Sequence, residues 1–308
     1  MSTATAAIDR GREVARPAPR LRFSGMVRAE ARKLLGQRST LVMLALWVLV
    51  WAGVTLLLTL AGKNVPFQMR RAPTKVVATF EDVLFNVFTF EAGVVLLLTS
   101  ARLVGMEYSA GTIRVVLARG TGRISLLLAK LLVLAGLGVV MLAVITFGSA
   151  VWGGLATLHW TGSLTAITSL PGAAFGDIGL QLLMCLISVG CAILIGTAAA
   201  TVGRSVAFGV GVAMAFYPAD NDGTSILFYL LGRLTGQPFW SHVTAYFLGP
   251  NLNVLPSLWI TNRPVASALR AAPLVKVDLT HALLTIGVWA LALLVLQLLL
   301  TWRRDVTA

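Results

Sequence analysis

Residues 131–158 read LLVLAGLGVVMLAVITFGSAVWGGLATL, 28 consecutive positions without a charged side chain. A helix needs about 20 largely apolar residues to cross a hydrocarbon core about 30 Å thick, so this stretch is long enough to span a membrane. The pattern recurs at residues 39–62 (24 residues), 178–203 (26 residues) and 282–302 (21 residues). Two further candidates are less regular. Residues 83–101 give 19 positions with Glu91 among them, and residues 205–219 give only 15. The latter reaches across a membrane if it continues through 225–231, with a break at 218–223 that protein or a water-filled cavity surrounds. The expectation is six spans, near 39–62, 83–104, 131–156, 178–202, 205–231 (broken) and 282–302.

The composition agrees. Of 308 residues, 57% are hydrophobic and 12% charged, and the mean hydropathy is +0.85. Soluble domains are about a quarter charged, so an ordinary water-soluble enzyme is excluded, and a disordered chain would be poor in hydrophobic residues. The expected fold class is an all-α polytopic membrane protein. Residues 1–22 read as a disordered cytosolic tail, since no apolar run follows until beyond Arg38 as a cleaved signal requires. Residues 23–308 form the transmembrane domain.

The net charge of +13 is read as membrane topology rather than as a nucleic-acid footprint. With six spans and the N-terminus inside, the inner segments carry 17 Lys and Arg against 8 outside. This places both termini in the cytosol and the chain in the cell membrane, although the long first segment supplies most of the bias. Trp152, Trp160 and Trp302 fall near span ends, where indole rings favour the headgroup layer. Trp47 and Trp51, four residues apart on one face, read as packing.

Two short helices are expected outside the lipid core. In FSGMVRAEARKLLGQR (23–38), Val27, Ala31 and Leu34 repeat at helical spacing, while Arg28, Glu30, Arg32 and Lys33 point elsewhere and Ser24 serves as N-cap. A basic amphipathic helix before a span lies in the inner interface. In EYSAGTIRVVLAR (107–119), Ile113, Val116 and Leu117 form a second stripe, facing away from Arg114 and Arg119, and Gly111 permits a tight backbone. An apolar stripe outside the bilayer must bury itself on the spans or on a soluble partner. Between 219 and 279, the bursts SILFYLL, VTAYFLG and NVLPSLWI are too short to span and read as re-entrant or interfacial helices over the outer mouth.

Catalytic chemistry finds no support. There is no G-x-x-x-x-G-K-[ST] phosphate loop, no H-E-x-x-H and no G-x-S-x-G. His159, His242 and His281 are scattered and lack a Ser or Cys partner, and Cys185 and Cys191 read as small buried residues rather than a disulfide or a metal site. Glu91 is the sharpest single residue. A charge at the bilayer centre costs about 2.5–3.5 kcal/mol on insertion scales, so Glu91 either faces a cavity as a functional group or sits at the outer interface, near Asn86, on a span that begins later. Lys130 and Arg102 lie near span ends and snorkel.

The stretch VGMEYSAGTIRVVLARGTGRISLLLAKLL (104–132) resembles the loop between the second and third spans of ABC-2 type permeases, the membrane subunits of ATP-driven exporters. The resemblance rests on the ordered set Gly105, Glu107, Gly111, Thr112, Arg119, Arg123 and Lys130, and Gly120 stands where relatives often have Pro. The amphipathic N-terminal helix and the long outer segment before the last span are also similar, so the likeness covers most of the chain. It implies a pair of such subunits, identical or related, joined to two separately encoded cytosolic ATP-binding cassette ATPase subunits. Glu107, Gly111, Thr112, Ile113, Val116, Leu117 and Arg119 would form the coupling helix that docks on the ATPase. No cofactor is implied for this chain, since ATP is bound by the partner, and the chain itself is not an enzyme. The rival is a secondary transporter or channel that uses Glu91 without an ATPase, against which stands the lack of an inverted repeat. An intramembrane enzyme lacks its nucleophile or metal ligands, and a sensor remains open.

Overall fold

The computed structural model describes residues 22–61, 65–111, 122–260 and 271–303. Among these residues the chain is overwhelmingly helical and contains no β-strand. The helices are α1 (Phe23–Leu35), α2 (Arg38–Ala61), α3 (Val65–Arg71), α4 (Pro73–Ser109), α5 (Arg123–Thr161), α6 (Thr165–Thr168), α7 (Gly172–Gly203), α8 (Val206–Pro218), α9 (Thr224–Thr235), α10 (Phe239–Val243), α11 (Leu248–Trp259) and α12 (Leu279–Arg303).

Five of these, α2, α4, α5, α7 and α12, are long and apolar enough to cross a membrane. The chain is a helical polytopic membrane protein. Four of the expected spans appear as uninterrupted helices, α2 at its expected 24 residues and α5, α7 and α12 longer than expected, and the one containing Glu91 is also longer, starting at residue 73 rather than 83. At 1.5 Å per residue, the 39 residues of α5 cover about 58 Å, nearly twice a hydrocarbon core. Its ends therefore project beyond the lipid. The stretch 205–231 has no single helix of spanning length among the described residues. The 13 residues of α8, a five-residue π-helical segment at Ala219–Gly223 and the 12 residues of α9 follow one another with helical backbone at both junctions. The run ADNDG after Pro218 favours a polar, irregular turn over a straight ladder.

That turn is enclosed by protein. Asp220 Oδ2 accepts a 2.6 Å hydrogen bond from the Gly249 N–H, and Asn253 Nδ2 donates to the carbonyls of Asn221 and Ala271, each at 2.9 Å. Ser225 donates to the Ala272 carbonyl at 3.0 Å. These bonds satisfy the Asn221 carbonyl at the π segment, an N–H in the first turn of α11 and two carbonyls of the connection before α12. Leu248, Asn251 and Leu255 are almost fully shielded, so α11 is a packed element against α7 and α12.

The sequence of α4 explains its central place. Of its most apolar window, 61% is buried, against 11% for α2 and for α12. Its most extensive neighbour is α7, and small residues bring the two backbones together. A Cβ on Gly196 would lie 2.5 Å from the Leu97 carbonyl oxygen. The peripheral helices turn Leu49, Leu57, Leu60, Phe147, Leu284 and Val288 outward. Such a surface needs lipid to cover it. Trp47 is buried edge-on to Phe88, with centroids 6.1 Å apart, and Trp51 packs against the same core, as expected of packing residues. Cys185 and Cys191 are buried and are not joined in a disulfide.

Gly196→Ala should therefore destabilise the folded protein by about 1–3 kcal/mol through overpacking. Gly190→Ala, where an added Cβ meets nothing within 4 Å, should be neutral or stabilising by about 0.5–1 kcal/mol. Unfolding in detergent reads both, and equal effects would contradict the close α4–α7 approach.

Candidate functional site: a buried ion cluster at one end of the bundle

Three elements converge where α1, the end of α4 and the start of α5 meet. Helix α1 forms from residues that favour a helix, and its stripe Val27, Ala31 and Leu34 packs on the core, with Leu34 shielded from solvent. The helix begins at Phe23 with Arg22 at the cap position and no side-chain cap bond, so Ser24 lies inside the first turn and is not the N-cap. Arg28 and Arg32 are exposed, as the stripe requires. Glu30 is not. It is only 7% exposed and shares the buried face with Met26 and Leu34.

The partner that draws Glu30 inward is Lys130, in the second turn of α5. Lys130 is 3% exposed, which excludes the snorkelling expected of it. Its Nζ donates to Glu30 Oε2 at 2.7 Å, to Glu107 Oε1 at 2.8 Å and to the Leu103 carbonyl at 3.3 Å. An ammonium has three N–H groups, and each finds an acceptor. Lys33, partly exposed, donates to Glu107 Oε1 at 2.7 Å and stands 3.9 Å from Glu30 Oε2. Two carboxylates thus face two ammonium groups in formal balance.

The energetics decide what this cluster does. Desolvation of a buried pair largely offsets its Coulomb attraction, so the cluster adds little net stability over an apolar equivalent. Removing one member is different, because it strands a buried charge. The cluster therefore fixes geometry: short charge-assisted bonds allow these helix ends one arrangement. Glu107 and Lys130 also lie before and after the segment 112–121, so the helices on either side of it are tied to each other and to α1.

Of the expected coupling residues, Glu107 lies in this cluster and Gly111 ends α4 with a left-handed φ of 63°, the tight backbone expected of it. Thr112, Ile113, Val116, Leu117 and Arg119 lie outside the described residues. Glu91 is not part of the cluster. It sits at the midpoint of α4, half-buried, and its Oε2 is buried without a hydrogen-bond partner among the described residues. Helix α4 begins at Pro73, well before Glu91. Glu30 and Lys33 were missed as site residues. Their signal was an acid three residues before a lysine, on the same face as Met26 and Leu34.

Among the described residues, no group of three or more His, Cys, Asp or Glu side chains could hold a metal ion. His281 is committed to the Ala245 carbonyl, 2.8 Å from its Nε2. No protein-family model matches the chain, and no curated protein matches it.

Lys130→Met should destabilise the protein by about 3–5 kcal/mol, since it leaves two buried carboxylates with only Lys33 between them. The double variant Lys130→Met with Glu107→Gln should recover part of that loss, and Lys33→Ala should cost less than about 1 kcal/mol because its ammonium is partly solvated. Unfolding of the purified variants measures all three. Additive losses in the double variant would contradict the cluster.

Proposed function

We propose that the chain is the membrane permease subunit of an ATP-driven exporter of the ABC-2 type, paired with a second permease subunit and driven by a separate cytosolic ATPase. The observation that carries the proposal is the clamp on the loop 110–122. A segment that receives force from a soluble partner must pass it to the spans, and the Glu107–Lys130 ion pair would make α4 and α5, the helices that bracket the segment, move together. Helix α1, held through Glu30, braces the same point. The ordered motif from Gly105 to Lys130 supports the same reading, as does the lack of any phosphate loop in this chain.

In this reading α8 and α9 act as one broken crossing, which brings the count to six and leaves both termini in the cytosol. The translocation path lies between the paired subunits in the cell membrane, and ATP is bound and hydrolysed by the partner. A second reading, transport without an ATPase and with Glu91 as the coupling group, draws on the unpartnered Glu91 Oε2.

The purified chain alone should hydrolyse no ATP. Ile113→Ala with Leu117→Ala should release the ATPase while membrane abundance stays unchanged, because truncating a buried anchor commonly costs about 2 kcal/mol, about thirtyfold in affinity. Partner retention on an affinity column reads the effect. A double variant that holds its ATPase and transports normally would sink the coupling assignment. Transport that persists without any ATPase but is lost in Glu91→Gln would establish the second reading instead.

A further inference from the structure

The end of the bundle opposite the ion cluster holds an elongated cavity of about 250 Å³, walled by α2, α3, α4, α5, α6 and α7. On α5 the lining includes Thr146, Ala150, Gly153, Thr157 and Trp160, whose alternating spacing of four and three puts them on one helix face. At 1.5 Å per residue that stripe is about 21 Å long, and the facing stretch Val76–Phe85 of α4 is about 14 Å long. Aromatic rings supply much of the wall: Phe80 and Phe85 from α4, Trp152 and Trp160 from α5, and Phe175 from α7. They are held in place. Trp152 Nε1 donates to Thr59 Oγ1 at 2.9 Å, and the Trp160 and Phe80 rings meet with centroids 5.6 Å apart. Ala150 and Phe175 are exposed, so the slot opens sideways toward lipid. At its Trp160 end it adjoins a second, polar hollow that shares Met69 and is lined by Arg70, Thr161, Ser163 and Thr165. Arg70, Arg71 and Lys75 are exposed there and make no ion pair with a described residue, although Arg71 lies 4.4 Å over the Phe67 ring.

We propose that the two cavities together hold one anionic phospholipid, with an acyl chain in the slot and the phosphate at Arg70. Three features select that occupant. The first is length. One leaflet's chains span half of a hydrocarbon core about 30 Å thick, or about 15 Å, and the slot runs about that far along helices that cross the core. The second is shape. The volume falls below the roughly 300–1,000 Å³ typical of drug-sized sites, so a long slot of that volume is narrow and suits a single chain. The third is charge. Three cations within six residues stand at the mouth, and basic side chains at a membrane surface attract anionic headgroups. Trp160 marks the same level, since indole rings favour the headgroup layer. Glu81, the ionisable side chain among the described lining residues, already interacts within the chain, and the lipid is not required to meet it. The competing occupant is a compact apolar molecule, which would leave the basic hollow unused.

Binding is measured on the full chain alone, so the outcome does not depend on the ATPase reading. The chain in non-ionic detergent is titrated with dioleoylphosphatidylglycerol or dioleoylphosphatidylcholine, and bound lipid is counted by native mass spectrometry. Phosphatidylglycerol should saturate at one per chain and bind about tenfold more tightly than phosphatidylcholine. Arg70→Gln should lower that preference about fivefold, whereas Arg233→Gln, exposed on α9, should leave it unchanged. Gly153→Phe, at a lining position where an added Cβ meets nothing within 4 Å, should fill the slot and abolish saturable binding of both lipids. Equal affinity for the two lipids in the unaltered protein would overturn the proposal, and so would the absence of saturation at one phosphatidylglycerol. A preference lowered equally by Arg70→Gln and Arg233→Gln would place the headgroup elsewhere and overturn it. Phosphatidylglycerol binding that survives Gly153→Phe unchanged would place the acyl chain outside the slot, with the same consequence.

Discussion

A primary ammonium that loses its water must find three acceptors or lose its charge, and the structure is arranged around that requirement at Lys130. Its three N–H groups reach Glu30, Glu107 and the Leu103 carbonyl, which belong to α1 and to the end of α4. Few arrangements of three helix ends can satisfy these distances together. The amphipathic helix is therefore fixed in rotation about its axis, and the last turn of α4 is fixed against α5. Lys33 completes the charge balance from the solvent side. A cluster of this kind specifies an arrangement more than it adds stability. That property suits a joint that must transmit displacement without deforming.

From this joint α4 runs as a 37-residue rod, about 55 Å long, through the most buried part of the molecule. Near its start Phe80 and Glu81 line the aromatic cavity, and near its end Glu107 enters the ion cluster. Midway, Glu91 stands close in sequence to Thr89, whose carbonyl accepts a 3.2 Å hydrogen bond from the Tyr217 hydroxyl of α8. The polar break after Pro218 follows within one turn. Close packing through Gly196 holds α4 to α7 along this length. One helix thus carries Glu81 at the cavity, Glu91 midway and Glu107 in the ion cluster, and α2 and α12 contribute to the lipid-facing surface.

Much of this was legible in the sequence, and the exceptions share a cause. Long uncharged runs located the helices, because exclusion of charge from lipid is a local rule that each segment obeys alone. Helix ends were underestimated, since charged residues such as Glu81 and Asp82 end an apolar run without ending a helix. The break read at 218–223 within 205–231 coincides with the π-helical segment Ala219–Gly223 that joins α8 to α9. The ion cluster depended on contacts between residues up to 100 positions apart, which no local period encodes. Glu30 shares an i, i+4 face with Met26 and Leu34, and that spacing was visible; its meaning required Lys130, which by itself looked like a residue reaching for the interface. The aromatic cavity was illegible for the same reason, because its walls come from six separate helices.

The central claim is that the ion cluster holds α1 and α5 as a single body at the base of the loop. Spin labels at Ala29→Cys and Ile124→Cys, both exposed positions, in a background lacking Cys185 and Cys191, report the distance between these helices by pulsed electron resonance. The account predicts one narrow distance distribution in the otherwise unaltered chain and a broad or displaced one when Lys130→Met is added. An equally narrow, unshifted distribution in the Lys130→Met protein would show that packing alone sets the arrangement, and would contradict the account.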